Sequence, residues 1–145
     1  MSSCVFCGIV RGDEPARVVG ESPAALAFLP IRPAAVGHTL IIPRDHVRDI
    51  WELTPALAAS VMETVLKMSH AIRNALAPEG LNLITSAGRA ASQTVFHVHF
   101  HLVPRWTGDQ IGDMWPPRGN GFGEDAPTEW ASRLSAAFDA QTADH

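Results

Sequence analysis

The stretch QTVFHVHFHLVPR, residues 93–105, places three histidines at alternate positions within an apolar segment. Alternate side chains of a β-strand point to the same face, so His97, His99 and His101 are predicted to share one face. The other face is apolar and is predicted to lie under a helix; it carries Phe96, Val98, Phe100 and Leu102. Residues 93–103 are therefore predicted to form a strand that is buried on one face and displays imidazoles on the other.

The spacing of the three histidines favours a polar groove over a single ion site. A strand rises about 3.3 Å per residue, so neighbouring histidines are predicted about 6.6 Å apart and the outer two about 13 Å apart. Two neighbours can chelate a metal together, but three rings in this row do not converge easily on one ion. Unpartnered buried imidazoles are costly, and clusters of titratable groups tend to mark functional sites. The row is therefore interpreted as functional.

The segments around this strand predict an α+β domain. The predicted elements are a helical turn at 5–10, strands at 24–29, 38–43 and 81–86, and helices at 55–76 and 127–138. Thr54 is a suitable N-cap for the long helix, and one long helix between the second and third strands indicates a mainly antiparallel sheet. The 145 residues suit a single domain, 1–145, with a C-terminal extension from about residue 106 that contains a Pro/Gly-rich loop at 115–127.

The composition argues against two classes of partner. The formal net charge is -4, so the chain lacks the basic surface that binds nucleic acid. No window contains the roughly 20 apolar residues of a membrane span, so no membrane partner is expected. The N-terminus also lacks the apolar core of a signal peptide, and a cytoplasmic location is therefore expected.

Two cysteines, Cys4 and Cys7, form a C-x-x-C pair near the N-terminus. A structural disulfide is not expected in a reducing compartment. Metal ligands, a redox pair and two plain thiols remain open from the spacing alone.

The loop SAGRAASQT, residues 86–94, comes directly before the histidines. Its small residues, main-chain N–H groups and polar side chains are of a kind that cradles phosphate oxygens. Neutral imidazole is a good nucleophile and acid–base group near neutral pH. The loop and the histidine row together predict a phosphoryl or nucleotidyl transfer site.

Three stretches resemble the histidine-triad (HIT) family: QTVFHVHFHLVPR itself, CVFCGIVRGDEPARVV (4–19) and LAFLPIRPAAVGHTLIIPRDHV (26–47). The resemblance covers residues 4 to about 105 and implies a HIT-like α+β fold, a homodimer and a nucleotide-type substrate. It implies that His99 is the nucleophile that attacks the α-phosphorus and that His101 contacts the phosphate and assists. The base is expected in an apolar cleft near 26–31 and 38–42. The residues implied to bind the substrate are His38, Ser86, Gln93 and Thr94.

The resemblance also implies a structural zinc ion. In the zinc-containing branch of the family, the matching ligands are Cys4, Cys7, His46 and His97. Two thiolates and two imidazoles are an ordinary tetrahedral zinc set. His97 would then be a metal ligand and would take no direct part in catalysis, so the three histidines would have three different roles.

Three positions depart from the family pattern. Pro30 stands where many members carry an acidic residue that binds the ribose, and proline has no side-chain acceptor. Ser86 replaces an asparagine and Ser92 a glycine. The main hypothesis is a nucleotide hydrolase or nucleotidyl transferase acting on a nucleoside phosphoramidate or a dinucleoside polyphosphate. The alternatives are a nucleotide-binding, zinc-stabilised interaction module with little turnover, and a redox or metal-handling protein that rests on the two cysteines.

Overall fold

The structure is a computed structural model, and it describes residues 3–114 and 128–141. The chain divides into two compact units, Met1–Gln110 and Ile111–His145. In chain order the elements are α1 (Val5–Arg11), β1 (Arg17–Glu21), β2 (Ala25–Leu29), β3 (Thr39–Pro43), α2 (Pro55–Leu76), β4 (Gly80–Ile84), β5 (Phe100–Arg105) and α3 (Thr128–Gln141). Single helical turns occur at Ile50–Glu52 and Arg89–Ala91.

The first unit is built on a five-stranded sheet in the order β1-β2-β3-β5-β4, and its four strand pairs are antiparallel. The α+β class and the mainly antiparallel sheet are therefore confirmed. β1 is absent from the sequence prediction, because this short edge strand is mostly exposed and carries a charge at each end. A β-bulge between Val18 and Gly20 also interrupts its pairing with β2, as is common at a sheet edge.

The strand predicted at 93–103 is wrong in its first half, since β5 begins only at Phe100. The residues before it form an irregular segment whose main chain bonds outside the sheet. The Val98 N–H, for example, donates to the Val47 carbonyl at 2.6 Å. This bond to a loop stands where the prediction places strand pairing.

Helix α2 has the bounds that the sequence predicts and covers one face of the sheet. Thr54 Oγ1 accepts the Leu57 N–H at 3.2 Å at its start, and Ala77 adopts a left-handed conformation (φ 47°) at its end. The core between helix and sheet contains Ala25, Ala27, Ile41, Val61, Val65, Ile72, Val98, Phe100 and Leu102. The apolar face of the histidine segment is therefore buried as predicted, except for Phe96, which is only partly buried.

The second unit, taken by itself, contains helix α3. The apolar face predicted for this helix consists of Trp130, Leu134 and Phe138, and it is exposed, with Leu134 at 70% and Phe138 at 71%. The Pro/Gly-rich loop predicted at 115–127 lies outside the described residues. Among the helices that the structure describes, none is long and apolar enough to cross a membrane.

Candidate active site and metal centre

Four side chains meet at the start of α1 and can hold a metal ion. They are Cys4, Cys7, His46 and His97, and their ligand atoms all lie within 4.8 Å of one another. Cys7 Sγ lies 3.2 Å from His46 Nδ1 and 3.5 Å from His97 Nδ1, which is also 3.5 Å from Cys4 Sγ. In tetrahedral zinc sites, with Zn–S about 2.3 Å and Zn–N about 2.0 Å, sulfur and nitrogen ligands lie about 3.5 Å apart. The cluster therefore fits such a site, and it unites all four predicted metal ligands.

His97 connects the cluster of four potential metal ligands to His99. Its side chain is fully buried, at 0% exposure, and Nε2 lies 2.8 Å from the Pro43 carbonyl oxygen. A carbonyl only accepts, so Nε2 carries the proton and Nδ1 presents its lone pair to the cluster. The main-chain carbonyl of His97 also accepts the Nδ1–H of His99 at 2.8 Å. His97 thus contributes its side chain to the four-ligand cluster and its main-chain carbonyl to the hydrogen bond with His99.

His99 is held with one ring nitrogen free. Because its Nδ1 donates to a carbonyl, the neutral ring carries its lone pair on Nε2. The ring stands edge-on to Phe6 at 5.2 Å between centroids, and its centroid lies 5.0 Å from that of His101. The Thr85 hydroxyl donates to the main-chain carbonyl of His99 at 2.8 Å. Main chain and ring are both fixed, which leaves Nε2 as a candidate nucleophile.

His38 and His101 form a hydrogen-bonded pair whose proton positions follow from a main-chain donor. The Ala34 N–H donates to His38 Nδ1 at 2.9 Å, so this nitrogen carries no proton. The proton of neutral His38 is then on Nε2, which donates to His101 Nδ1 at 2.9 Å. The proton of neutral His101 is consequently on its own Nε2. The N–H donor of the pair therefore belongs to a ring whose centroid lies 5.0 Å from that of His99.

Burial keeps these three rings neutral near pH 7. It lowers the pKa of His38 and of His99, and for His99 the hydrogen bond to the carbonyl partly opposes this shift. The pKa of His101 is lowered to about 4, first by burial and then by the nearby His99 and His38. The lone pairs and protons assigned above to the three rings require each imidazole to be neutral.

The lowered pKa of His101 predicts a loss of stability in acid. The unfolded chain takes up a proton near the ordinary pKa of 6.5, whereas the folded chain does so only near about 4. The free energy of unfolding should therefore fall as the pH falls from about 6.5 to about 4, by about 2 kcal/mol after allowance for partial exposure. His101→Gln is expected to make this dependence shallower in urea denaturation at stepped pH. An identical pH dependence in the variant would contradict the assignment.

The loop residues predicted to bind the substrate differ in their surroundings. Gln93 is 2% exposed; its Oε1 accepts the Gly88 N–H at 2.8 Å, and its Nε2 donates to two main-chain carbonyls at 2.8 and 3.1 Å. This side chain therefore fastens the loop from inside. Thr94 is exposed and Ser86 is half-buried, and neither hydroxyl bonds to a residue that the structure describes. These two are available to a ligand.

An apolar cavity of about 930 Å³ opens beside the histidines. His38 and Phe6 line it, and these two side chains contact His101 and His99 respectively. Further apolar lining residues are Val5, Ile9, Phe28, Leu29, Ile31 and Leu40. The position agrees with the cleft predicted near residues 26–31 and 38–42, and the volume is that of a small-molecule site.

Three contributors to the site escape sequence reasoning. Phe6 lies between the two cysteines, and its only signal is that it is apolar. Thr85 acts through a hydroxyl at the end of a strand, a common place for such a residue. Ala34 acts through its main-chain N–H and has no side-chain signal at all.

Comparison with known proteins agrees with this geometry. The family model of the HIT domain matches residues 11–108. An adenosine 5'-monophosphoramidase from Schizosaccharomyces pombe is 40% identical over 115 residues, which are 79% of this chain and 84% of that protein. The solved structure of a HIT family member from Bacillus subtilis has a TM-score of 0.82 and 36% identity, covering 96% of each chain. A zinc-bound histidine triad family protein from Mycobacterium smegmatis has a TM-score of 0.71 and 38% identity, covering 98% of this chain and 96% of that one.

The matched region holds the whole histidine segment and two of the four residues of the metal cluster, His46 and His97. The remaining two, Cys4 and Cys7, lie within ligand distance of these histidines. Because sequence, fold and donor set agree, this chain belongs to the histidine-triad (HIT) family, in its zinc-containing type.

Proposed function

We propose that the protein is a nucleotide hydrolase or nucleotidyl transferase acting on a nucleoside phosphoramidate or a dinucleoside polyphosphate. The placement of protons carries the proposal, since His99 offers a lone pair on Nε2 and His101 offers an N–H on Nε2. A nucleophile and a hydrogen-bond donor that can stabilise the phosphate oxygens together suit displacement at phosphorus. The S. pombe relative, which is named for phosphoramidase activity, supports a phosphorus–nitrogen bond as the one broken.

In the first step, His99 Nε2 attacks the α-phosphorus and forms a bond to it. The bond from phosphorus to the leaving group breaks, and the leaving group takes the electron pair. An amine leaving group also takes a proton from solvent, while the Nε2–H of His101 donates a hydrogen bond toward the phosphate and keeps its proton. Thr94 and Ser86 are proposed to donate to the phosphate oxygens, while Gln93 holds their loop in place.

In the second step, water attacks the phosphorus of the nucleotidyl-histidine. The bond to His99 Nε2 breaks, its electron pair returns to the ring, and the proton lost by water goes to solvent. Another nucleophile in place of water would make the reaction a transfer. Throughout, the His38 Nε2–H keeps His101 in the tautomer that donates toward the phosphate.

We propose zinc as the metal of the four-ligand cluster. Two thiolates and two imidazoles complete a tetrahedral set, and a site with no open position serves structure rather than chemistry. The ligand distances and the zinc-bound M. smegmatis relative support this choice. The ion would tie the N-terminal turn, with Cys4 and Cys7, to the histidine segment at His97.

Mass spectrometry after brief reaction with adenosine and guanosine 5'-phosphoramidates tests the proposed function. One nucleoside monophosphate is expected to be attached to His99 of the wild type. Tight nucleotide binding with neither adduct nor turnover would instead favour the binding module with little turnover.

We also propose that the protein is a homodimer, because the apolar face of α3 is exposed in the single chain. Leu134→Glu is expected to shift the molar mass in solution, measured by light scattering, from that of two chains to that of one. Ser132→Glu adds the same charge on the opposite side of this helix and should leave the mass unchanged. A wild-type mass of a single chain would refute the dimer.

A further inference from the structure

We infer that Glu14 selects the base of the substrate and favours a guanine-type ring, whose edge presents two adjacent N–H donors. The inference rests on the proposed nucleotidyl chemistry, because it takes the cavity of about 930 Å³ beside the histidines as the place of the base. A nucleotide with its phosphate at His99 extends its base away from the phosphate, and this cavity is the adjoining apolar space.

The walls of the cavity offer few polar groups. Of the residues that line it, Glu14 and Arg17 carry charge, and His38 is the third with a polar side chain. Both ring nitrogens of His38 are already hydrogen-bonded. Neither Glu14 nor Arg17 makes an ion pair or a side-chain hydrogen bond within the part of the chain that the structure describes. These two side chains can therefore bond to the polar edge of a bound ring.

A glycine in α1 makes room for Glu14. A Cβ atom at Gly8 would lie 2.6 Å from Glu14 Cγ, which is too close for two carbon atoms. The Glu14 N–H also donates to the Gly8 carbonyl at 3.2 Å. Glycine is unfavourable inside a helix, but here its bare main chain lets the methylenes of Glu14 lie against α1. The Glu14 side chain is thereby kept at the wall of the cavity.

A carboxylate distinguishes bases because it accepts hydrogen bonds and donates none. Guanine presents N1–H and its 2-amino group side by side, and the two carboxylate oxygens can accept both. The neighbouring O6 is an acceptor that the Arg17 guanidinium can meet. Adenine instead presents an amino group beside a ring nitrogen with a lone pair, and this lone pair is repelled by Glu14. Among the common bases, only guanine has two adjacent donors on this edge.

Steady-state kinetics with guanosine and adenosine 5'-phosphoramidates test the inference. The wild type is expected to show a kcat/KM about tenfold higher for the guanosine compound, the usual size of a good two-bond base contact. Glu14→Gln keeps the shape of the side chain but offers the base one donor and one acceptor, a pattern that suits adenine. This variant should therefore bring the ratio of kcat/KM for guanosine over adenosine to about one or below. Glu63→Gln, an exposed carboxylate on α2 outside the cavity, should leave the ratio unchanged. Gly8→Ala should lower the ratio while the charge is kept.

Binding measurements separate this inference from the proposed function. The Kd values of GMP and AMP are measured by calorimetry for the wild type and Glu14→Gln. If the wild type prefers GMP and Glu14→Gln removes this preference, base selection by Glu14 is supported even if no phosphoramidate is cleaved. In that case the proposed function fails and the inference about Glu14 stands. Equal Kd and equal kcat/KM for the two bases, or a ratio that Glu14→Gln leaves unchanged, overturns the inference. Cleavage with an adduct on His99 would still support the nucleotidyl chemistry.

Discussion

His99→Ala is expected to lower kcat/KM for a nucleoside phosphoramidate by about 10⁴- to 10⁶-fold, as removal of a nucleophile does in other enzymes with covalent intermediates. The variant loses the Nε2 lone pair that is proposed to attack phosphorus, and the covalent intermediate is lost with it. Water must then displace the leaving group in a single, slower step. The cavity walls are unchanged, so the Kd of a nucleoside monophosphate should stay close to that of the wild type.

His70→Ala is the matched control, because His70 is an exposed histidine on α2 away from the site. The Tm of His99→Ala should stay within a few degrees of the wild type, since it loses one hydrogen bond and the ring contacts with Phe6 and His101. A variant that folds, binds nucleotide and retains more than about a tenth of wild-type turnover would exclude His99 as the nucleophile.

Removal of the metal is the second large effect that we expect. A ligand present at about 1,000 times its Kd stabilises the folded chain by about 4 kcal/mol, and its loss should lower the Tm by roughly 10–15 °C. Along the chain, Cys7 is 39 residues from His46 and 90 residues from His97, so the proposed ion would close long loops. Scanning calorimetry before and after dialysis against a chelator, with elemental analysis of both samples, measures the change.

Activity should fall together with stability when the metal is removed. The carbonyl of His97 orients His99, so loosening of His97 is expected to reduce kcat by about tenfold at a temperature where the protein is still folded. The double variant Cys4→Ser, Cys7→Ser should reproduce both losses and should not respond to the chelator. A purified wild type that contains no zinc, or whose Tm the chelator leaves unchanged, would contradict the zinc assignment.

Local patterns in the sequence predicted those parts of the fold that depend on local interactions. The long helix follows from its N-cap at Thr54 and from the regular spacing of Val61, Val65 and Ile72. The burial of Val98 under this helix follows from simple alternation. The four metal ligands are a different case, because the spacing identified only the cysteine pair and the family resemblance supplied the two histidines.

The rest of the fold and of the candidate site depends on main-chain hydrogen bonds between distant segments, and no pattern of side chains predicts these bonds. Strand β5 starts late because Val98 bonds to the main chain of Val47, a loop residue far away in the sequence. The place of Gln93 beside the histidines predicts a substrate contact, yet both donor positions of its side-chain amide are used by main-chain carbonyls. β1 lies at the edge of the sheet, where an exposed strand needs no apolar alternation.

In the candidate active site, a main-chain group sets which ring nitrogens carry protons, and this has an evolutionary consequence. This group is the N–H of Ala34, which points at His38. Every amino acid except proline carries this N–H, so nearly any residue can replace Ala34 without reversing the His38–His101 hydrogen bond. Position 34 can therefore drift among relatives while the direction of proton donation is inherited unchanged. Ala34→Pro is the substitution that would remove this N–H.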